Sequence, residues 1–180
     1  MSVKPNMQLM ASYNQWMNRA IYQAATQLED ADLREDKGAF FRSILGTLNH
    51  NIVGDIIWLK RFADHFTTLF CLDGVRTLER PARLDSELYA DFNDLQDMRF
   101  HLDLVIIEMI DDLTDGMLAS LLLYKNTKGI AHSQCFALVL QHFFNHQTHH
   151  RGQITTLLSQ MGLDVGATDL ILTIPNQIEL

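Results

Sequence analysis

The sequence predicts an all-α protein built as a four-helix bundle, and three observations support this fold class. Four long segments carry apolar residues at the three-and-four spacing of one helix face. Only 9 Gly and 3 Pro occur in 180 residues, and no run of them resembles a linker between domains. Apolar residues make up 47% of the chain, which is enough for one buried core. We therefore expect residues 1–180 to form a single helical-bundle domain.

The first half of the chain contains two of the predicted helices. The first covers residues 5–28 and the second covers residues 39–63, just after Gly38. In both segments the apolar residues recur at helical intervals. The stretch 66–83 mixes glycine, proline and charged residues without a sustained period, so it predicts a loop with at most a short helical turn.

The second half contains the other two long helices and a less regular connection. A third helix is predicted to begin at a cap formed by Asp85 or Ser86 and to end near residue 112. Residues 117–130 combine an apolar run with turn-forming residues, which fits either a short hairpin or a connecting loop. The last helix is predicted over residues 133–162, ending at a glycine.

Composition and charge exclude several classes of function. Acidic residues outnumber basic ones 22 to 14, and the net charge of −8 would repel a phosphate backbone, so we expect no nucleic-acid partner. The N-terminal residues are too polar for a signal peptide, and no apolar run is long enough to span a membrane. The two cysteines, Cys71 and Cys135, lack the spacing of a disulfide framework or a CxxC pair. These features predict a cytoplasmic protein with free thiols.

Histidine is the residue type that points to a site. The chain has 8 His, and four of them fall between His142 and His150. At 100° per residue, His150 lies about 40° from His146 and inside the apolar stripe of the last helix. His142 and His149 lie on the other side of His146, toward the polar rim. An i,i+4 histidine pair on a half-buried face can bind one divalent ion if another helix adds a ligand.

The third ligand is best sought on the second helix, where small residues surround His50. Two readings of this position remain open: a metal ligand in a cleft, or a buried histidine hydrogen-bonded between two closely packed helices. Other metal motifs are absent, because position 147 is Gln rather than the Glu of an HExxH zinc protease, and no Glu-x-x-His di-iron signature occurs.

Three segments resemble motifs of one protein family. HFFNHQTHHRGQITTLL is similar to the HxxxHRGQ signature of DinB/YfiT-like proteins, with His146 and His150 as its histidines. LNHNIVGDIIW, which contains His50, resembles the second-helix motif of the same family. YNQWMN, near the start of the chain, resembles its first-helix motif. The three motifs follow one another in the family's order and cover nearly the whole chain.

The resemblance implies a bundle with up-down-down-up topology, frequent homodimerisation and a bound divalent metal, most often zinc or nickel. It implies that His50, His146 and His150 are the metal ligands. It also implies a link to bacterial stress-response transferases that couple a low-molecular-weight thiol to an electrophilic small molecule. Most members of the family have no known reaction, so the metal site is implied more directly than any enzymatic activity.

Three functions fit such a site. Three neutral imidazoles leave an open coordination position, where a thiol could be activated as thiolate for a metal-dependent thiol S-transferase. The alternatives are a non-enzymatic metal-binding stress protein and a hydrolase that uses metal-bound hydroxide. No catalytic residue of the protein is identified by the sequence. Gln153 is a candidate to orient a ligand, and Arg99, in the apolar stripe of the third helix, either binds an anionic substrate group or pairs with a carboxylate such as Asp55.

Overall fold

The computed structural model describes residues 2–176, which are mostly helical. The four long helices are α1 (Lys4–Ala25), α3 (Ile44–His65), α5 (Phe92–Asp112) and α7 (Phe136–Gln160). Three one-turn helices lie in the connections: α2 (Asp30–Arg34), α4 (Asp73–Thr77) and α6 (Asp115–Ala119). An antiparallel hairpin consists of β1 (Leu121–Lys125) and β2 (Ala131–Cys135), and short 3-10 turns occupy Phe70–Leu72 and Leu170–Thr173.

The four long helices enclose one hydrophobic core. Helix α1 packs against α5 and α7, and α3 packs against the same two helices. Each long helix contributes fully buried apolar side chains, for example Ile21, Leu48, Ile106 and Phe143. The hairpin packs beside α3 and α7. In the described part of the chain, no helix is both long and apolar enough to cross a bilayer.

Helix α3 begins later than its apolar pattern indicates. The Ser43 side chain accepts a hydrogen bond from the backbone N–H of Gly46 at 3.0 Å, which caps the helix at that point. The preceding residues form a tight turn in which Arg42 adopts a φ of 67°. The predicted start at residue 39 is therefore wrong by five residues. Residues 39–42 belong to the tight turn, and the helix begins only after the Ser43 cap.

Helix α5 is capped by Asp91 and not by Asp85 or Ser86. The Asp91 carboxylate accepts hydrogen bonds from the backbone N–H groups of Asn93 and Asp94, at 2.8 and 3.2 Å. The residues before it cannot join the helix, because the side chain of Asn49 on α3 binds them. The Oδ1 of Asn49 accepts hydrogen bonds from the backbone N–H groups of Leu88 and Tyr89 at 2.9 and 3.0 Å. A tertiary contact thus sets this helix boundary.

Residues 117–130, for which the sequence left a hairpin and a connecting loop open, form the end of α6, strand β1 and the turn of the hairpin. The register pairs Leu121 with Cys135 and Lys125 with Ala131. Because residues 133–135 belong to β2, helix α7 begins at Phe136, three residues later than predicted. Both cysteines are free, as the sequence predicts.

Candidate metal centre

Helices α3 and α7 bring three histidines together. Their Nε2 atoms lie 3.1 Å apart for His50 and His150, 3.2 Å for His150 and His146, and 3.3 Å for His50 and His146. The pair on α7 is separated by one helical turn, so both rings project from the same face. These three residues could hold a metal ion. His142 and His149, the other members of the sequence cluster, are exposed.

Hydrogen bonds orient two of the three rings. The Nδ1 of His50 lies 2.7 Å from the backbone oxygen of Leu84, and the Nδ1 of His150 lies 2.8 Å from Oε1 of Gln153. An oxygen of either kind can only accept, so each Nδ1 must carry the hydrogen. The Nε2 of both rings then presents a lone pair, which is the form that binds a metal.

Gln153 is therefore placed beside a ring of the triad. It lies one helical turn from His149 on α7 as well, and its Nε2 is 3.5 Å from the Nε2 of that histidine. Its amide thus has an acceptor contact with His150 and a weaker contact with the exposed ring. The contact that a ligand-orienting glutamine requires is present.

The three imidazoles are favoured in their uncharged form. Burial, reinforced by the neighbouring histidines, lowers the pKa of His146 to about 3. Burial is also the main cause that lowers the pKa of His50 and of His150. Since metal binding requires the neutral ring, the triad needs no deprotonation at neutral pH before it can bind a cation.

Phe41 forms one wall of the site. Its ring stacks on that of His50, with 3.7 Å between centroids and 16° between planes, and it meets His150 edge-on. This approach requires glycine at position 46, because an added Cβ there would lie 2.3 Å from the backbone oxygen of Phe41. The turn before α3 therefore covers two of the three rings.

Gly54 makes room for the third ring. A Cβ built on this residue would lie 2.9 Å from Cε1 and 3.4 Å from Nδ1 of His146. The small residues around His50 in the sequence thus include two, Gly46 and Gly54, that admit aromatic and imidazole groups close to α3. The pattern of small residues was visible in the sequence, but the groups that use the space were not.

A cavity of about 250 Å³ opens beside the triad. Its lining consists of His50, Gly54, Ile57, Trp58, Arg61, Leu84, Tyr124, Asn126, Thr127, His142 and His146. None of these residues is acidic. Tyr124, Asn126 and Thr127 of the hairpin form one wall. The sequence did not predict this role, because its pattern fitted a hairpin and a connecting loop equally.

Arg99 is buried in the core and is paired with carboxylates. Its guanidinium binds Asp55 of α3, and its Nη2 lies 3.0 Å from Oδ1 of Asp103 on α5. Gln147 of α7 also donates to Asp55, with 2.6 Å between Nε2 and Oδ2. Of the two alternatives that the sequence left open for Arg99, the structure contains the pairing with Asp55. The buried charge is compensated within the helical core.

Helix α1 joins the same polar cluster. Asn14 and Asn18 donate to Oδ1 of Asp103 at 3.1 and 2.9 Å. Arg151 of α7 donates to Oδ1 of Asn14 and to Oγ1 of Thr148. The pair of asparagines therefore links helices, and Arg151 anchors α7 to α1 through an amide.

Comparisons with known proteins agree on one family. A family model described as the DinB family matches residues 1–179. Protein DinB of Bacillus subtilis (strain 168) is 25% identical over 157 residues, covering 87% of each chain. A crystal structure of a DinB-like protein from Bacillus cereus ATCC 10987 aligns with a TM-score of 0.55 at 22% identity. That alignment covers 84% of this chain and 90% of the other, and it shows a shared fold.

Proposed function

The chain belongs to the DinB family, and on that premise we propose that His50, His146 and His150 hold one divalent metal ion, zinc or nickel. The observation that carries this proposal is the convergence of three Nε2 atoms within 3.3 Å of one another. The neutral state of the rings and the hydrogen bonds at two Nδ1 atoms support it, because both favour an imidazole that presents a lone pair.

We further propose that the protein is a transferase that couples a low-molecular-weight thiol to an electrophilic small molecule, as the family resemblance suggests. A bound divalent ion would supply Lewis acidity that lowers the pKa of the thiol. The protein's own residues would bind and orient the two substrates in the cavity beside the triad. In the coupling, a sulfur–carbon bond forms, the leaving group departs with its electron pair, and the thiol proton passes to solvent.

The composition of the cavity favours a transferase over a hydrolase. Hydrolysis of a substrate by an activated water commonly needs a general base, which is often a carboxylate. The residues that line the cavity include no Asp or Glu. The carboxylate of Asp55 is fully buried and engaged with Arg99 and Gln147. A thiol that ionises in the site requires no such base.

The packing of the long helices supports a bundle of up-down-down-up topology as part of the same proposal. A four-helix bundle packs each long helix against two others around a shared core. The observed contacts of α1 and α3 with α5 and α7 agree with this arrangement.

Spectroscopy of the cobalt-loaded protein tests the proposed reaction. Titration with a panel of small thiols should produce a thiolate-to-metal charge-transfer band for at least one of them, and His150→Ala should abolish the band. A protein that binds cobalt but responds to no thiol would contradict the transferase. The non-enzymatic metal-binding protein and the hydrolase would then be the remaining candidates.

A further inference from the structure

Arg61 of α3 is a buried cation without an anion beside it. Its side chain is only 8% exposed, and its Nε is buried without a hydrogen-bond partner. Within residues 2–176 it makes neither an ion pair nor a hydrogen bond. Removing a guanidinium from water without compensation is costly, so a position of this kind calls for an explanation.

The other two buried arginines differ from Arg61 in this respect. Arg99 is held between Asp55 and Asp103, and Arg151 donates to a buried asparagine and to a threonine. Both are therefore explained by the polar cluster that links the long helices. Arg99 also has buried nitrogens without a hydrogen-bond partner, its Nε and Nη2, but two carboxylates balance its charge. Among the described residues, Arg61 is the buried arginine that has neither a hydrogen bond nor an ion pair.

Two aromatic side chains hold the guanidinium in place. Its Cζ lies 4.5 Å from the ring centroid of Trp58 and 4.9 Å from that of Tyr124. The two rings meet edge-on, with 5.2 Å between centroids. Contacts of this type engage the guanidinium through its faces and leave its N–H edge available for a planar acceptor. The side chain is thus ordered without being neutralised.

Arg61 lines the same cavity as the histidine triad. Trp58, Tyr124, His50 and His146 line it too, and no carboxylate does. Burial is the main cause that lowers the pKa of Arg61; Tyr124 opposes this shift and the cation Arg80 adds to it. Among the described residues that line the cavity, Arg61 is the one with a permanent charge, and it is positive in a chain whose net charge is −8.

Helix geometry places Arg61 on the face that carries the triad histidine of α3. Eleven residues separate it from His50, which corresponds to about 16 Å along the axis and a rotation of about 20°. Long side chains on a helix lean toward its N-terminus, and this brings the guanidinium closer to the triad. A small elongated molecule could contact both groups.

We propose that Arg61 binds an oxyanion, a carboxylate or phosphate group, of the small molecule that enters the cavity. The assignment of this molecule as a substrate rests on the proposed function, whereas the binding of an oxyanion at Arg61 does not. An edge-on guanidinium matches the geometry of a carboxylate or phosphate and can bind it through two parallel hydrogen bonds.

Fluorescence titration of the protein as purified tests the proposal without relying on activity. Trp16 is replaced by Phe, so that Trp58, which contacts Arg61, is the remaining tryptophan and the reporter. Hexanoate is compared with hexanamide, which has the same length but no charge. We expect the Kd for hexanoate to be lower by about tenfold or more, as for a charge-assisted hydrogen-bonded pair.

Three variants in the same background attribute this preference to one side chain. Arg61→Gln should abolish it, and Arg61→Lys should retain a smaller preference because it keeps the charge but not the planar edge. Arg80→Gln should retain the full preference, because Arg80 is an exposed cation already paired with Asp64. The affinity for hexanamide and the helical circular dichroism report whether each variant is folded.

Equal affinities for hexanoate and hexanamide in the reporter protein that retains Arg61 would overturn the proposal. A preference for hexanoate that survives in Arg61→Gln would overturn it too. A loss of preference in Arg80→Gln equal to that in Arg61→Gln would overturn it as well, because it would indicate attraction by general surface charge. Since this titration uses no thiol, its result is independent of the thiol spectroscopy that tests the transferase.

Discussion

Two of the three histidines in the site are oriented by hydrogen-bond acceptors. One of these acceptors could be predicted from the sequence and the other could not. Gln153 follows His150 by three residues on one helix, so its contact is predictable from helical spacing. The acceptor for His50 is the backbone oxygen of Leu84, which lies in a turn 34 residues further along the chain. No sequence pattern identifies a backbone carbonyl as a partner, because every residue carries one.

Replacement of single histidines should separate ligands from neighbours. His50→Ala, His146→Ala and His150→Ala each remove one of the three converging Nε2 atoms, so we expect each to abolish stoichiometric metal binding. His142→Ala and His149→Ala are matched controls, because both are exposed histidines of the same helix, and they should bind metal normally. Elemental analysis of the purified variants measures the outcome. Loss of metal in His149→Ala with retention in His146→Ala would contradict the assignment.

Gln153→Leu should weaken metal binding without abolishing it. The variant keeps the three ligands but removes the oxygen that accepts from Nδ1 of His150, and losses of this kind cost about 10-fold to 100-fold in metal affinity. Competition against a chromophoric chelator measures the affinity. Gln160→Leu, an exposed glutamine at the end of the same helix, should leave it unchanged. Equal affinities of the two variants would show that the hydrogen bond to Gln153 is unimportant.

Gly54→Ala should disturb the site through steric contact alone. The added methyl would lie 2.9 Å from a carbon of the His146 ring, so the ring must move away from its position in the triad. We expect the affinity for metal to fall, measured by the same competition. Gly152→Ala is the control, because its Cβ meets nothing within 4 Å. That variant should bind metal normally and gain up to about 1 kcal/mol of stability from the higher helix propensity of alanine.

The long helices are joined by polar contacts as well as by apolar packing. Asp103 of α5 accepts from two asparagines of α1 and lies 3.0 Å from Arg99, which also binds Asp55 of α3. The sequence showed an arginine in an apolar stripe and two asparagines one turn apart. It did not show that one carboxylate serves all of them, because Asp103 is one of many acidic residues in the chain.

Asp103→Ala should destabilise the protein strongly. It leaves the buried Arg99 with one carboxylate fewer and removes the acceptor of two buried amides, and breaking a buried pair in this way costs about 3–5 kcal/mol. Urea denaturation measures the free energy of unfolding. Asp30→Ala, which breaks the exposed pair with Arg34, should have a much smaller effect because water screens that pair. Similar losses in both variants would contradict the role given to the buried cluster.

Helix identity was easier to predict than helix boundaries. The apolar periodicity of α1, α3, α5 and α7 arises from the core that these helices share, so it is present in the sequence. The start of α5 depends on Asn49, a residue of another helix that binds the backbone before Asp91. The one-turn helices α2 and α6 are too short to carry a periodic signal.

The histidine triad could be predicted because its members lie in segments with recognisable motifs, and the cavity beside it could not. Its walls come from α3, α7, the hairpin and the segment around Leu84, which meet only in the folded chain. Arg61 illustrates the difference. On the helix it resembles an ordinary charged residue, and its isolation from carboxylates is a property of the packed protein.

Membership of the DinB family and a mostly helical fold are established for the chain, and the metal is the central claim that follows from them. Homodimerisation, a small-molecule substrate and the absence of a nucleic-acid partner stay predictions. These predictions concern binding partners of the protein, whereas the three converging imidazoles belong to a single chain.

The metal content of the purified protein tests that claim most directly. Elemental analysis, repeated after stripping and reloading with zinc or nickel, should find about one divalent ion per chain, because three neutral imidazoles supply one partial coordination shell with an open position. A chain that retains no divalent ion after reloading, while its helical content is intact, would contradict the account.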